Sequence, residues 1–276
     1  MVRDVQPSSD HQPPISSVQL LAPRPTKPRK PLFVFLPGMD GSGTLLRTQI
    51  DRLVPWFDIR CVAISPQDMS EWLPLARQVN QLIRNEVNAS ANSAGRHRPV
   101  YLCGESFGGC LAMHALTQAP QLFERVILIN PASSFRRLPW MHLGSMITQQ
   151  LPNLAYRHSS RGLVPFLVES RRVDIRNRQA LERAMGAVPA KTAAWRMALL
   201  SRFEVERLPL ERMTHPVLLV AGGCDRLLPS KREANSLLAR FPNAQLTLLP
   251  QSGHACLLEA DTNLQKILRQ QQFLMS

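Results

Sequence analysis

Gly104-Glu105-Ser106-Phe107-Gly108 is the segment of this 276-residue chain richest in possible chemistry. It follows the apolar run Val100-Tyr101-Leu102-Cys103 and precedes a stretch with helical spacing. A sharp strand-to-helix turn forces strained backbone angles on its central serine, and it needs small residues on either side. It lifts the hydroxyl to the positive end of the following helix, as a nucleophile requires. A serine is a weak nucleophile unless a base takes its proton and an acid orients that base. Asp225 follows the strand-like VLLVAGGC, and His254 lies in Gln251-Ser252-Gly253-His254, just after Leu246–Leu249. Chain order Ser, Asp, His is the one this kind of sheet leads one to expect. Both sites fall where loops leave the carboxyl ends of strands. Each residue alone has an ordinary reading, a turn cap or a loop histidine. Their joint order favours catalysis.

Acyl chemistry also needs donors for a developing oxyanion. Pro37-Gly38-Met39-Asp40-Gly41-Ser42-Gly43 follows the first core strand, and the N–H groups of Met39 and Phe107 are the expected donors. A phosphate-binding loop is the weaker reading, since no Gly-Lys-Ser/Thr follows. His114, His142 and His158 read as structural or surface groups, and Cys224 and Cys256 as small buried packing residues. Glu105 is a poor alternative acid because of its place in the turn. No metal or cofactor is expected.

These groups must be held by a scaffold. Short continuous apolar runs recur at Leu32–Leu36, Ile59–Ile64, Val100–Cys103, Val126–Ile129, Val217–Ala221 and Leu246–Leu249. Continuous rather than alternating runs suit strands buried on both faces of a parallel sheet. Helical spacing appears in Trp72–Val87 and Leu111–Ala119, and Ser230-Lys231-Arg232-Glu233 reads as a capping box. Together they predict a mostly parallel, doubly wound α/β sheet. Residues 1–30, with six prolines and five basic groups, read as a disordered arm. Residues 31–134 and 215–276 form two parts of one core. Residues 135–214 hold no convincing strand and read as a helical cap insertion. Its Leu138, Trp140, Met141, Leu163, Phe166, Leu167 and Trp195 suit an aliphatic chain, with Trp140, Phe166 and Trp195 as the substrate-binding candidates.

Thirty-three Lys and Arg against twenty Asp and Glu give a net charge of +13, which suggests an acidic partner. The excess is uneven: 31–134 is neutral, whereas 135–214 carries +8, with every basic group but one an arginine. Over an acyl site, these arginines would face an anionic lipid surface or an acidic acyl carrier protein. With four Trp, two Tyr and no recognisable binding motif, nucleic acid is not the expected partner. Five cysteines without Cys-x-x-Cys spacing argue for a reducing compartment. No run approaches the ~20 apolar residues of a membrane span. The expected location is therefore cytoplasmic, or peripheral on a membrane.

LPGMDGSG, YLCGESFGGCLA and LINPASSF taken together resemble the esterase/lipase/thioesterase family of plastids and cyanobacteria, which includes the plant phytyl ester synthases. The resemblance covers roughly residues 31–276 and implies the α/β-hydrolase fold and acyl-enzyme chemistry on hydrophobic esters. It also implies transfer to water or to an alcohol such as phytol or diacylglycerol. The plant synthases add an acyltransferase-like half with a His-x4-Asp motif, and no histidine here is followed by aspartate at that spacing. Hydrolysis of fatty-acyl or lipid esters through Ser106, His254 and Asp225 is therefore the leading expectation. The alternatives are acyl transfer, hydrolysis of acyl thioesters or carrier-bound esters, and an inactive hydrolase fold serving as a binding protein.

Overall fold

The computed structural model describes residues 17–94, 98–138, 162 and 164–275. Seven strands form one sheet in the order β1-β3-β2-β4-β5-β6-β7. They are β1 (Val18–Leu21), β2 (Leu32–Leu36), β3 (Asp58–Ile64), β4 (Val100–Glu105), β5 (Arg125–Ile129), β6 (Val217–Gly222) and β7 (Ala244–Leu249). All neighbours pair in parallel except β1, which runs antiparallel to β3.

The expected strands are all present, and their apolar runs divide between two layers. Leu32, Val34, Leu36, Leu102, Leu128 and Leu219 face one core, while Phe33, Phe35, Cys103, Ile127 and Val220 face the other. Alternate pointing of side chains makes a continuous apolar run the signature of a sheet covered on both sides. The first layer is closed by α2 (Trp72–Ala94) and α3 (Phe107–Gln118), the second by α1 (Ile50–Leu53) and the C-terminal segment. Helix α2 buries Trp72, Leu75, Ala76, Val79 and Ile83, a three-to-four-residue spacing that turns one stripe onto the sheet.

Between β5 and β6 the described residues hold three helices, α4 (Val164–Leu167), α5 (Ile175–Gly186) and α6 (Ala190–Ser201), with short 3-10 turns. Two more follow, α7 (Ser230–Leu238) after β6 and α8 (Leu264–Gln270) after β7. Trp140, Met141, Leu163, His142 and His158, singled out from the sequence, lie outside the described residues.

Two expectations need correction. The arm at 1–30 contains strand β1, whose Val18 is fully buried opposite Ile64, so Val18–Leu21 is part of the sheet. A four-residue edge strand takes its hydrogen bonds from a distant partner, and the prolines and charges that flank Val18–Leu21 in the sequence hide it. Nor does Ser230-Lys231-Arg232-Glu233 form a capping box. The Ser230 hydroxyl is spent on Asp225, and the Glu233 carboxylate is buried against Ser133, with the Arg137 guanidinium 3.4 Å away. Neither side chain reaches back to the helix's own amides.

Candidate active site

Sheet order decides where the site lies. The chain leaves β2 for β3 on one side and returns to β4 on the other, so the loops after β2 and β4 diverge from adjacent strand ends. Such a switch point opens a crevice at the carboxyl edge. Leu36 pairs with Gly104, which sets the loop Pro37–Gly43 beside Ser106. A side-chain carbon added to Gly38 would stand 3.8 Å from Ser106 Cβ.

Ser106 has φ 55° and ψ −115°, a sparsely populated positive-φ conformation that costs a non-glycine residue about 1–3 kcal/mol. The surroundings enforce it. Ser106 N–H donates to the Ile129 carbonyl at 3.0 Å, and its own carbonyl accepts from Gly109 at 2.9 Å and Ala132 at 3.1 Å. The glycines that frame the turn leave no room for a side chain. A Cβ on Gly108 would fall 2.1 Å from the Leu36 carbonyl oxygen, and one on Gly104 2.3 Å from that of Gly108. Phe107 opens α3 with its ring packed on Trp72 at 4.6 Å between centroids.

Asp225, His254 and Ser106 form one hydrogen-bonded chain. His254 Nδ1–H donates to Asp225 Oδ2 at 2.7 Å, and the Ser106 hydroxyl donates to His254 Nε2 at 2.8 Å. The acceptor-only carboxylate fixes that tautomer. Asp225 Oδ1 accepts the N–H groups of Leu227 at 2.8 Å and Leu228 at 2.9 Å, and Oδ2 also accepts the Ser230 hydroxyl. Burial pushes the Asp225 carboxyl up, but the His254 ring and these donors outweigh it and hold it below the usual range. Burial likewise pushes His254 down, and the Asp225 charge and hydrogen bond bring it above an ordinary histidine. The arrangement can therefore accept a proton from Ser106 and keep the resulting imidazolium paired.

The loop that carries His254 is held by residues the sequence reading did not rank. Asn130 sits just after β5 with φ 41°, fully buried. Its amide donates to the carbonyls of His254 at 2.6 Å and Gly253 at 3.3 Å, and its oxygen accepts Gly222 N–H at 2.7 Å. Glu259 Oε1 accepts Gly253 N–H at 2.8 Å, and its other oxygen takes Arg172 Nε at 3.1 Å. LINPASSF carried the signal for Asn130, since an Asn directly after a strand favours a left-handed turn. No local signal marked Glu259.

Glu105 does not join the chain; its Oε1 has no hydrogen-bond partner among the described residues, and burial raises its pKa to about 8. His114 is a neutral core ring stacked on Trp72, pushed down to about 4 by burial. Cys256 is buried as expected, but Cys224, two residues past the end of β6, is exposed. Trp195 donates its indole N–H to the Ser70 carbonyl at 3.2 Å and lies under the Arg202 guanidinium, so its polar edge is already taken. Phe166 is half exposed on α4, beside Leu167, whose carbonyl accepts Ala255 N–H at 2.7 Å in the His254 loop. An open cavity of about 630 Å³, lined by Trp56, Arg125, Arg269, Gln272, Leu274 and Met275, involves none of these groups.

Known proteins share this framework. Residues 69–261 match the serine aminopeptidase S33 family. Phytyl ester synthase 1, a chloroplastic protein of Arabidopsis thaliana, is 28% identical over 87% of this chain, which spans 36% of that protein's length. A pimeloyl-[acyl-carrier protein] methyl ester esterase of Nitrosomonas europaea is 30% identical over 56% of this chain and 64% of its own. Among solved structures, MenH from S. aureus superposes with a TM-score of 0.72 at 13% identity, over 94% of this chain and all of the other. The esterase EaEST from Exiguobacterium antarcticum gives 0.69 at 14% identity, over 92% and 94% of the two chains.

Proposed function

Since the chain belongs to the serine aminopeptidase S33 family and is an α/β-hydrolase, we propose that it cleaves hydrophobic carboxylic esters through an acyl-enzyme on Ser106. The observation that carries this reading is the hydrogen-bonded chain Asp225–His254–Ser106. Ser106 Oγ attacks the acyl carbonyl carbon while His254 Nε2 takes the hydroxyl proton. The carbonyl oxygen becomes an oxyanion, held by the N–H groups of Met39 and Phe107. Neither amide takes part in a turn or loop hydrogen bond of the backbone among the described residues. The C–O bond then breaks, and the leaving alkoxide receives the proton from His254. Water attacks the acyl-enzyme by the same route in reverse, giving the free acid and Ser106. Asp225 fixes the tautomer throughout.

A hydrophobic acyl or alcohol part is supported by the two relatives, one named for a phytyl ester and one for a pimeloyl methyl ester. Transfer to an alcohol such as phytol or diacylglycerol instead of water uses the same acyl-enzyme. Purified protein incubated with fatty-acyl esters of graded length, with and without free phytol, separates hydrolysis from transfer by product mass. Ser106→Ala should lower turnover by at least ~10³-fold and abolish labelling by a fluorophosphonate. Turnover by Ser106→Ala at the parent rate, or a parent chain that resists the probe, would overturn the mechanism and favour an inactive fold that only binds.

A second reading, cleavage of an ester or thioester on an acyl carrier, is favoured by one feature. Arg171, Arg176 and Arg183 have no ion-pair partner among the described residues, and the last two lie seven residues apart on α5, on one face. They could receive an acidic carrier or an anionic lipid surface such as that of the thylakoid. No helix among the described residues is long and apolar enough to cross a membrane.

A further inference from the structure

Arg196 is the largest of the fully buried side chains, 2% exposed on helix α6 of the insertion. An arginine so deeply buried needs its donors satisfied, because its charge cannot be neutralised by giving up a proton. Its fork spans two loops of the catalytic edge. Nη1 donates to the Met39 carbonyl at 2.6 Å and Nη2 to the Ser65 carbonyl at 3.0 Å. The guanidinium also lies on the α-carbon of Gly41, where a Cβ would meet Nη1 at 2.7 Å.

The loop it touches is otherwise a tight turn. Gly41 N–H donates to Gly38, Gly41 accepts from Ile64 at the end of β3, and Asp40 accepts both the N–H and the hydroxyl of Ser42. Asp40, Gly41 and Ser42, on the far side of Met39, are thus tied down, and among the described residues the hydrogen bond from Arg196 is the tie that comes from the insertion. An oxyanion donor is effective only when its direction is set before charge develops. A carbonyl held at one end of Met39 limits rotation of the residue whose N–H lies at the other end.

We propose that Arg196 is a positioning residue: from the insertion it fixes Met39 in the oxyanion loop, so transition-state stabilisation depends on α6 being docked. The inference rests on the reading of Met39 and Ser106 given above.

The test uses the full chain with p-nitrophenyl butyrate as substrate and a trifluoromethyl ketone as analogue of the tetrahedral intermediate. Arg196→Met removes the fork at similar volume. It should lower kcat by about 10–10³-fold with KM within ~3-fold, and weaken the ketone in proportion to kcat. Arg196→Lys, which reaches only one carbonyl, should fall between. A folded Arg196→Met with the parent's kcat and ketone affinity would overturn the proposal, as would a loss confined to KM and melting temperature. If Arg196→Met does not fold, Arg196→Lys carries the test, and an unchanged kcat there overturns it equally. Ser106→Ala is measured alongside. Residual parent-like turnover in that variant sinks the reading of the site itself, whereas a dead Ser106→Ala beside unaffected Arg196 variants sinks only the role of Arg196.

Discussion

A base works at the pH where it is unprotonated, so the environment of His254 sets where this site can operate. Asp225 holds the imidazole above the ordinary value of 6.5, and a protonated ring cannot take the Ser106 proton. The acid limb of kcat/KM should therefore lie above pH 6.5 and fall as pH drops. Asp225→Asn should shift that limb downward and lower kcat by ~10⁴-fold, since the ring loses its enforced tautomer. An unmoved limb in a pH–rate profile would separate the carboxylate from the base. Glu105 makes the opposite kind of statement. Its folded value of about 8 stands well above its ordinary 4.5, so folding takes up a proton between those two pH values. Stability attributable to this group falls as pH rises through that window and is level above it. Glu105→Gln has no such proton to bind. The melting temperature of Glu105→Gln should pull ahead of the parent's between pH 5 and 8, by at least ~3 °C, what about 1 kcal/mol is worth at this size. Parallel melting curves across that range would show that Glu105 is not buried as a neutral acid.

At the scale of elements, the geometry of the candidate site depends on strand ends and on the side chains that lash loops to them. β4 delivers Ser106 through a turn that only glycine at 104 and 108 allows, and β6 and β7 deliver Asp225 and His254. Asn130, at the end of β5, joins the last two loops by bonding Gly222 on one side and Gly253 and His254 on the other. Asn130→Ala leaves two buried carbonyls and one buried N–H without that partner, and it places alanine at φ 41°. An unsatisfied buried group costs about 1–3 kcal/mol. The variant should melt lower and lose at least ~10-fold in kcat while KM changes little, because the imidazole drifts but the acyl site does not. Steady-state kinetics on the folded variant check this; a loss in KM alone would place Asn130 elsewhere in function. The same scale explains what local reading could see. Gly-Glu-Ser-Phe-Gly announces its turn because the strain and the close approaches arise among neighbours in the chain. Glu259 and β1 announce nothing, because Glu259 differs from a surface acid, and β1 from a loop, only through a distant partner.

For the whole molecule, the arginine excess is the property that the tertiary structure most redistributes. Residues 135–214 carry +8, but the arginines among the described residues do not form one docking surface. Arg172 is committed to Glu259 and Gln251, Arg196 to two backbone carbonyls, and Arg136 and Arg137 to Glu204, Glu206 and Glu233. Arg171 and Arg172, adjacent in sequence, are thus not an equivalent pair facing a partner. Arg171, Arg176 and Arg183, on or just before α5, are left without an ion pair among the described residues, as are Lys191 and Arg212 further along the segment. Reversing Arg171, Arg176 and Arg183 to glutamate should weaken turnover of a carrier-bound ester by ~10-fold or more at low salt and flatten its salt dependence. The rate on a small soluble ester should stay as it was. Equal losses on both substrates, or none on the carrier substrate, would remove the carrier reading and leave a plain ester hydrolase.

The amino-acid sequence by itself determined the class of sheet, six of its seven strands, helices α2 and α3 and the start of α7, and the turns that present Ser106, Asp225 and His254. Those features rest on apolar periodicity and on turn glycines, which are properties of near neighbours. Only the tertiary structure decided which side chains meet. Ser106 and His254 are 148 positions apart, Arg196 and Met39 157, and Thr48 and Leu257 209. Contacts across such distances follow from how the chain crosses the sheet and from where the insertion lies. A buried arginine that holds a loop and an exposed one that awaits a partner are the same letter until the fold surrounds one of them.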